Sequence, residues 1–448
     1  MFSLRIVGSV VLLLVCAAFA NAADAWRAGA AKVVITPQTP MWMAGYASRT
    51  HAADSKLGEL WAKAIVLEDA DQRRGVLVTL DLVGIDRDLA LSARRKIADK
   101  HKLDLAQVMI STSHTHSGPV VAKNLRPMHY LILDEAQQKQ VDHYAQWLEA
   151  AIVKLVDDAT QKLAPCQLSS GSGTSTVAVN RRTNKEPEVP ALRERGELKG
   201  PSDHDVPVLA VKNDAGELLA IVFGYACHAT VLDGYAWCGD YPGFAQAALE
   251  TSHPNAVAMF WAGCGGDQNP IPRRQVELAK KYGESLANSV NEVLASDLKP
   301  VTGKFKASYV EIDLPLAKLP TREELQAQAN DSNKYVVTRA KHYLAELDAG
   351  RALPQTYPYP IGVWKLGEEI DWVFLGGEVV VDYALRLKTE RRQKQTWVAA
   401  YSNDVMAYVP SRRVLAEGGY EGGGAMVYYG LPTVWAETVE ADIVRAIP

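Results

Sequence analysis

The chain has 448 residues, 48% of them hydrophobic and 22% charged, an ordinary globular composition with ample material for a large core. A net charge of −4, with no polybasic or low-complexity tract, excludes an electrostatic footprint for nucleic acid. Length alone admits two or three domains.

The N-terminus reads as a processing signal. Arg5 precedes the apolar run 6–20, and "ANA" at 20–22 puts small residues where a peptidase would cut after Ala22. The run is too short for a membrane span. The expectation is a signal peptide over 1–22 and a mature catalytic domain over 23–448, periplasmic or secreted. Outside the cytoplasm, the remaining cysteines, Cys166, Cys227, Cys238 and Cys264, permit a bridge involving Cys227, Cys238 or Cys264.

In chain order, "GVLVTLDLVGI" (75–85) predicts a strand with Asp81 near its end, followed by a helix from Asp88 to His101. "AQVMISTSHTH" (106–116) predicts the next strand. The three- and four-residue apolar spacing over 137–163 predicts an amphipathic helix. Two strands flank the turn Asp214-Ala215-Gly216, and "AVAMFWAGCGGDQNP" (256–270) reads as a buried strand running into a glycine-rich loop. A helix follows over 273–296, and an inserted helix pair over 321–350. "IDWVFLGGEVVVDYALRLKTE" (370–390) repeats the theme of strand, two glycines and a helix opening at Glu378. Such alternation predicts an α/β fold, a single large domain whose mixed central sheet is flanked by helices, with its site at the strand ends.

Residues 111–119, "STSHTHSGP", carry the first chemistry. On a strand, His114 and His116 share one face about 7 Å apart, close enough to meet one ion. The pattern equally suits two polar residues capping a strand. His228, ending "AIVFGYACH", reads either as a hydrogen-bonded core histidine or as a third ligand, since zinc favours neutral imidazoles with a carboxylate. Glu378 is the candidate carboxylate, favoured in its charged form at a helix start. "GYASRT" (45–50), "NRRTN" (180–184), "GDYPG" (239–243) and "GCGGDQNP" (263–270) are loops that line a cleft if they follow strands. None is a phosphate loop, and no G-x-S-x-G nucleophile elbow occurs.

Taken in order, "AGAAKVVITP", "GYASR", "LVTLDLVGI", "STSHTHSGP", "VNRR", "YACHAT", "GDYPG", "AGCGGDQNP", "GGEVVV" and "AYVPSRRVLAEGGYEGG" resemble the neutral/alkaline, non-lysosomal ceramidase family. The resemblance spans about residues 28–432, and its most specific piece is His-Thr-His-Ser-Gly-Pro. It implies a catalytic zinc held by two histidines, a glutamate and a tyrosine, here His114, His228, Glu378 and Tyr408. It also implies that His116, Arg181 and Tyr420 face the substrate. Two departures stand out. Family ceramidases carry a serine beside the metal, where this loop has Asn269, and they continue into a C-terminal sandwich-like domain, whereas this chain stops soon after the zinc-tyrosine region.

The expected activity is therefore that of a zinc-dependent amidohydrolase cutting the N-acyl bond of a ceramide-like lipid with metal-activated water. His116, Arg181, Asn269 and Tyr420 would serve the developing oxyanion or move protons. Asp240 or Asp267 would orient a ligand imidazole. Two alternatives remain open: an esterase or N-acyl hydrolase of another lipid or sugar conjugate, and a non-catalytic binding protein of the same fold. The expected partner is an N-acylated small molecule, with room for peripheral membrane contact.

Overall fold

The computed structural model describes residues 26–448, so the expected leader over 1–22 lies outside the described residues. No helix among the described residues is long and apolar enough to cross a membrane.

Long runs of Val, Leu, Ile and Ala build the main sheet, because such residues pack well on a pleated surface buried on both faces. Its strands are β1 (Trp26–Val34), β2 (Trp61–Glu68), β3 (Arg74–Leu80), β4 (Val108–Thr112), β5 (Ala164–Thr174), β6 (Asp205–Lys212), β7 (Leu218–Tyr225) and β8 (Val257–Ala262). They lie in the order β8-β7-β6-β5-β1-β2-β3-β4, with Lys299–Val301 added beside β5. The sheet is mixed, as expected: β3–β4 and β7–β8 are parallel, and the other neighbours on this path are antiparallel. Helices α1 (Arg87–His101), α2 (Glu135–Gln161), α3 (Asp240–Ser252) and α4 (Val276–Leu294) cover one face. Asp86 caps α1, and an Asp134–Gln137 capping box starts α2.

A second sheet covers the other face. Its strands, in spatial as well as chain order, are β9 (Phe305–Pro315), β10 (Thr356–Leu366), β11 (Ile370–Leu375) and β12 (Gln395–Ala399). Leu77, Met109, Leu209, Val222 and Met259 of the first sheet meet Trp364, Trp372, Phe374 and Trp397 of the second in one apolar layer. On the far face, Val363, Val373 and Leu375 join the core that includes Tyr383 and Leu387. The inserted pair is α5 (Arg322–Gln328) and α6 (Lys334–Asp348); α7 (Asp382–Glu390) and α8 (Val439–Ala446) follow. The architecture is four layers, αββα, with β11–β12 as a third parallel pair.

Three local expectations need correction. β4 ends at Thr112, so His114 and His116 sit in the loop beyond it, and alternation along a strand does not orient them. Glu378 opens no helix: it pairs with Tyr408 in a short parallel bridge, and α7 begins four residues later at Asp382. The four cysteines form no disulfide; each is a buried free thiol, and burial pushes Cys166 and Cys238 up to about 12.

Packing between α2 and β1 leaves no room at Gly29, where an added Cβ would lie 2.1 Å from the Ala159 carbonyl oxygen. Gly29→Ala should therefore force the helix off the sheet and cost about 1–3 kcal/mol or more. Urea unfolding followed by tryptophan fluorescence measures this, and an unchanged midpoint would mean that α2 yields freely.

Candidate metal centre

Each parallel strand pair delivers residues to one place beyond its C-terminal ends. Val83 follows β3 and His114 follows β4; His228 follows β7 and Gly265 follows β8; Glu378 follows β11 and Tyr408 follows β12. Open α/β sheets form sites there because the loops diverge from fixed strand ends. His114 reaches its position through a left-handed backbone, φ 59°, an uncommon conformation for a non-glycine residue. Hydrogen bonds on either side hold it: Ser113 N donates to Leu80 O (2.9 Å) and His116 N to Ala229 O (3.2 Å).

The decisive geometry concerns protons. His114 Nδ1 lies 2.5 Å from Val83 O, and His228 Nδ1 lies 2.6 Å from Gly265 O. A carbonyl oxygen only accepts, so both Nδ1 atoms carry hydrogen, and a neutral ring then presents a bare lone pair at Nε2. Both Nε2 atoms point at the same carboxylate oxygen, Glu378 Oε2, at 3.1 Å and 2.9 Å. That oxygen is buried and receives no hydrogen bond. Tyr408 Oη is 3.1 Å from His228 Nε2. Ring nitrogens of His114, His116 and His228 lie within 4.8 Å of one another, all three residues buried.

The rings of His116 and His228 are held neutral. Burial lowers His228 to about 4, with the Arg181 charge adding to the effect, and burial also carries His116 well below the usual histidine range. The Nε2 lone pairs of His114 and His228 thus face a carboxylate oxygen that accepts no hydrogen bond. A cation satisfies this arrangement, and the donor set of imidazole nitrogen, carboxylate and phenol oxygen suits zinc.

Arg181 gathers the remaining residues. Its Nη2 donates to Tyr408 Oη (3.1 Å), its Nη1 to Asn269 Oδ1 (3.2 Å) and its Nε to Glu421 Oε1 (2.7 Å). The guanidinium also lies over the Tyr408 and Tyr420 rings, 5.6 Å and 5.7 Å from their centroids. All eight residues singled out from the sequence, His114, His116, Arg181, His228, Asn269, Glu378, Tyr408 and Tyr420, therefore assemble in one centre. Asp240 and Asp267 do not orient an imidazole. Asp240 accepts from the backbone of Val231, Leu232 and Tyr241, and Asp267 accepts from Val381 N and Asn180 Nδ2. Backbone carbonyls take the role expected of them.

The profile of the family described as "Neutral/alkaline non-lysosomal ceramidase, N-terminal" matches residues 26–271, more than half of the chain. The chain belongs to the neutral/alkaline non-lysosomal ceramidase family. A neutral ceramidase of Pseudomonas aeruginosa is 28% identical over 213 residues, which are 46% of this chain and 30% of that relative's length. The fold matches the crystal structure of the P. aeruginosa neutral ceramidase with a TM-score of 0.72 at 20% identity, covering 94% of this chain and 73% of that one. A ceramidase complexed with C2 matches at 0.70 and 18%, covering 94% and 74%. At these identities the structural likeness is one of fold.

Within this family member, the structure adds residues that no sequence pattern marked. Tyr429 Oη donates a short hydrogen bond to Glu378 Oε1, leaving Oε2 to face the histidines. The Tyr401 ring lies 4.4 Å from that of His114. Gly45, in "GYASR", stands where a Cβ would fall 2.4 Å from the His116 ring, so only glycine leaves that imidazole its place. Asp404 accepts from Tyr357 Oη at 2.7 Å, while its backbone oxygen receives Gly377 N, next to Glu378. Gly45 and Glu421 alone had sequence cues, the first in the "GYASRT" loop and the second beside Tyr420.

Two outcomes follow from these contacts. Tyr429→Phe frees Glu378 Oε1 and should weaken affinity for a divalent metal ion about 10–100-fold, the usual effect of losing a group that orients a ligand; competition with a chelating dye measures it, and unchanged affinity would remove Tyr429 from the centre. Burial pushes the Asp404 carboxyl up to about 8. The folded chain then keeps a proton that the unfolded chain releases above its ordinary value, so this group's stabilisation is complete in acid and lost as pH rises toward 8. Asp404→Asn should flatten that loss, narrowing the gap in melting temperature between about pH 5 and about pH 8. An unchanged gap would contradict the buried neutral carboxyl.

Proposed function

We propose that the chain is a zinc-dependent amidohydrolase that cleaves the N-acyl bond of a ceramide-like amphiphile outside the cytoplasm. The observation that carries the reading is the convergence of two unprotonated imidazole nitrogens on the unsatisfied Glu378 oxygen. Leaving such a buried, charged acceptor unpartnered costs about 1–3 kcal/mol or more, whereas zinc binding to protein ligands releases on the order of 10 kcal/mol. His114, His228, Glu378 and Tyr408 would hold the ion. When bound, zinc supplies a Lewis acid and a water acidic enough to attack near neutral pH.

The chain's own side chains do the rest. Arg181 stays charged, because Tyr408 and Glu421 outweigh the effect of its burial, and its fixed guanidinium offers N–H groups to a developing oxyanion. His116, neutral and with Nδ1 unpartnered, keeps that nitrogen for a hydrogen bond to the substrate. Tyr420 is 46% exposed and meets an incoming substrate first. Asn269 presents its carbonyl oxygen to Arg181, so its amide nitrogen remains to donate. Attack by water needs no serine at that position, and the substitution is therefore compatible with hydrolysis.

Metal analysis of the purified mature chain should find about one zinc, lost together with fatty-acid release from N-acyl-sphingosine in His114→Ala. Arg181→Met should keep the zinc but lower kcat about 100–1000-fold, the usual effect of removing an oxyanion donor. Absence of bound metal after zinc supplementation would end the reading.

A further inference from the structure

The inserted helix pair closes a groove of about 580 Å³ against the glycine-rich stretch, with Arg339 of α6 on its wall. Two contacts fix α6 to the body: Tyr335 Oη donates to Ala47 O at 2.8 Å, and Tyr343 Oη donates to Gly430 O. The groove is therefore preformed rather than a gap between loose parts. None of His114, His228, Glu378 and Tyr408 lines it, so it is separate from the metal centre.

Hydrogen-bonding groups on its wall are unequally used. Arg339 is half-buried, and among the described residues it has no carboxylate partner. Its Nη2 donates to Gln328 Oε1 at 3.2 Å and its Nη1 to Leu431 O at 3.4 Å, while its buried Nε finds no acceptor. Burial lowers its pKa, with only the Tyr343 phenol acting against that. A guanidinium stays charged even so, and a charge taken partly out of water without a counter-charge is destabilising. Lys318 reaches the groove from just beyond β9 as a second cation, also without an ion pair among the described residues.

Asn333 commits its Oδ1 to Tyr335 N at 2.9 Å, and Gln328 commits its Oε1 to Arg339, which leaves both amide nitrogens to donate. Glu324 is the one carboxylate on the wall, and it already accepts from Thr321 N at 2.7 Å in the cap of α5. Donors and positive charge are thus in surplus. Beside them Val336, Tyr428 and Val434, all half-buried, offer a short apolar strip.

We propose that this groove binds an oxyanion carried on an apolar stem, the anion on Arg339 and Lys318 and the stem against Val336, Tyr428 and Val434. A carboxylate or phosphate accepts from a guanidinium through two oxygens at once and supplies the counter-charge that the groove lacks. Two sources share this chemistry, a free fatty acid and a phosphorylated lipid head group.

The test is calorimetric titration of the zinc-loaded protein with laurate and with dodecyl phosphate, both below their micelle concentrations. Inorganic phosphate supplies the charge without the stem, and dodecyl maltoside the stem without the charge. At least one dodecyl anion should bind, more tightly than inorganic phosphate, and the tighter of the two names the source. Arg339→Gln should weaken that binding at least about ten-fold, the effect of losing a hydrogen bond to a charged group, and Arg339→Lys should restore part of it. If Arg339→Gln fails to fold, the exposed Lys318 serves instead: Lys318→Ala should weaken binding about two- to five-fold, and no change there overturns the site. The site is also overturned if neither anion binds, if binding survives Arg339→Gln, or if inorganic phosphate or dodecyl maltoside binds as tightly as the dodecyl anions. No turnover enters the measurement, and laurate held at the metal centre would be insensitive to Arg339, so failure here leaves the hydrolase reading untouched.

Discussion

Two backbone carbonyls decide the chemistry of this centre. Val83 O and Gly265 O each accept a hydrogen bond from an imidazole Nδ1, which leaves a lone pair on the opposite nitrogen of each ring aimed at Glu378. Were either carbonyl rotated away, the ring could present a proton at Nε2 instead, and the centre would close into an ordinary hydrogen-bonded cluster with no call for a cation. Backbone atoms do this better than carboxylates would, since they add no charge to a buried site.

Those carbonyls are reliable because of where the chain leaves the sheets. Val83 and His114 follow one parallel pair, and Gly265 and His228 follow another. Glu378 and Tyr408 follow the third and pair with each other in a parallel bridge. Stacking a second sheet on the first brings the third pair to the same rim as the other two. The turns that result are strained: His114, Asp240, Tyr401 and Asn403 all have left-handed backbones. Each costs on the order of 1 kcal/mol, and hydrogen bonds such as Asn403 N to Ile110 O at 2.7 Å hold such turns in place.

Around this core, Arg181 ties Tyr408 to the loop that carries Tyr420 and Glu421. It touches Tyr408, Asn269 and Glu421 at once, and through Glu421 it anchors the glycine-rich stretch that carries Tyr420. Seven residues from Gly418 to Gly424 include five glycines, so that stretch has little intrinsic preference for any one path. The ion pairs with Arg181 and Arg182 supply what the local sequence lacks. The same pairs make the wall of the cleft beside Tyr420 charged.

The α/β class, the mixed sheet and the inserted helix pair were legible from periodicity alone, because burial on two faces leaves continuous apolar strands and helices of period 3.6. Of the candidate residues, His114, His116, His228 and Glu378 were legible from residue type at strand ends, whereas Arg181, Asn269, Tyr408 and Tyr420 came only from the resemblance of ordered motifs to the family. Tertiary structure alone decided how they meet. His114 and His116 are oriented by a left-handed turn rather than by strand alternation, Glu378 by a bridge to Tyr408 rather than by a helix start, and the imidazoles by carbonyls rather than by Asp240 or Asp267. The second sheet and the Tyr429 contact join segments far apart in the chain. Such contacts leave no periodic trace, because their partners are chosen by packing and not by sequence spacing.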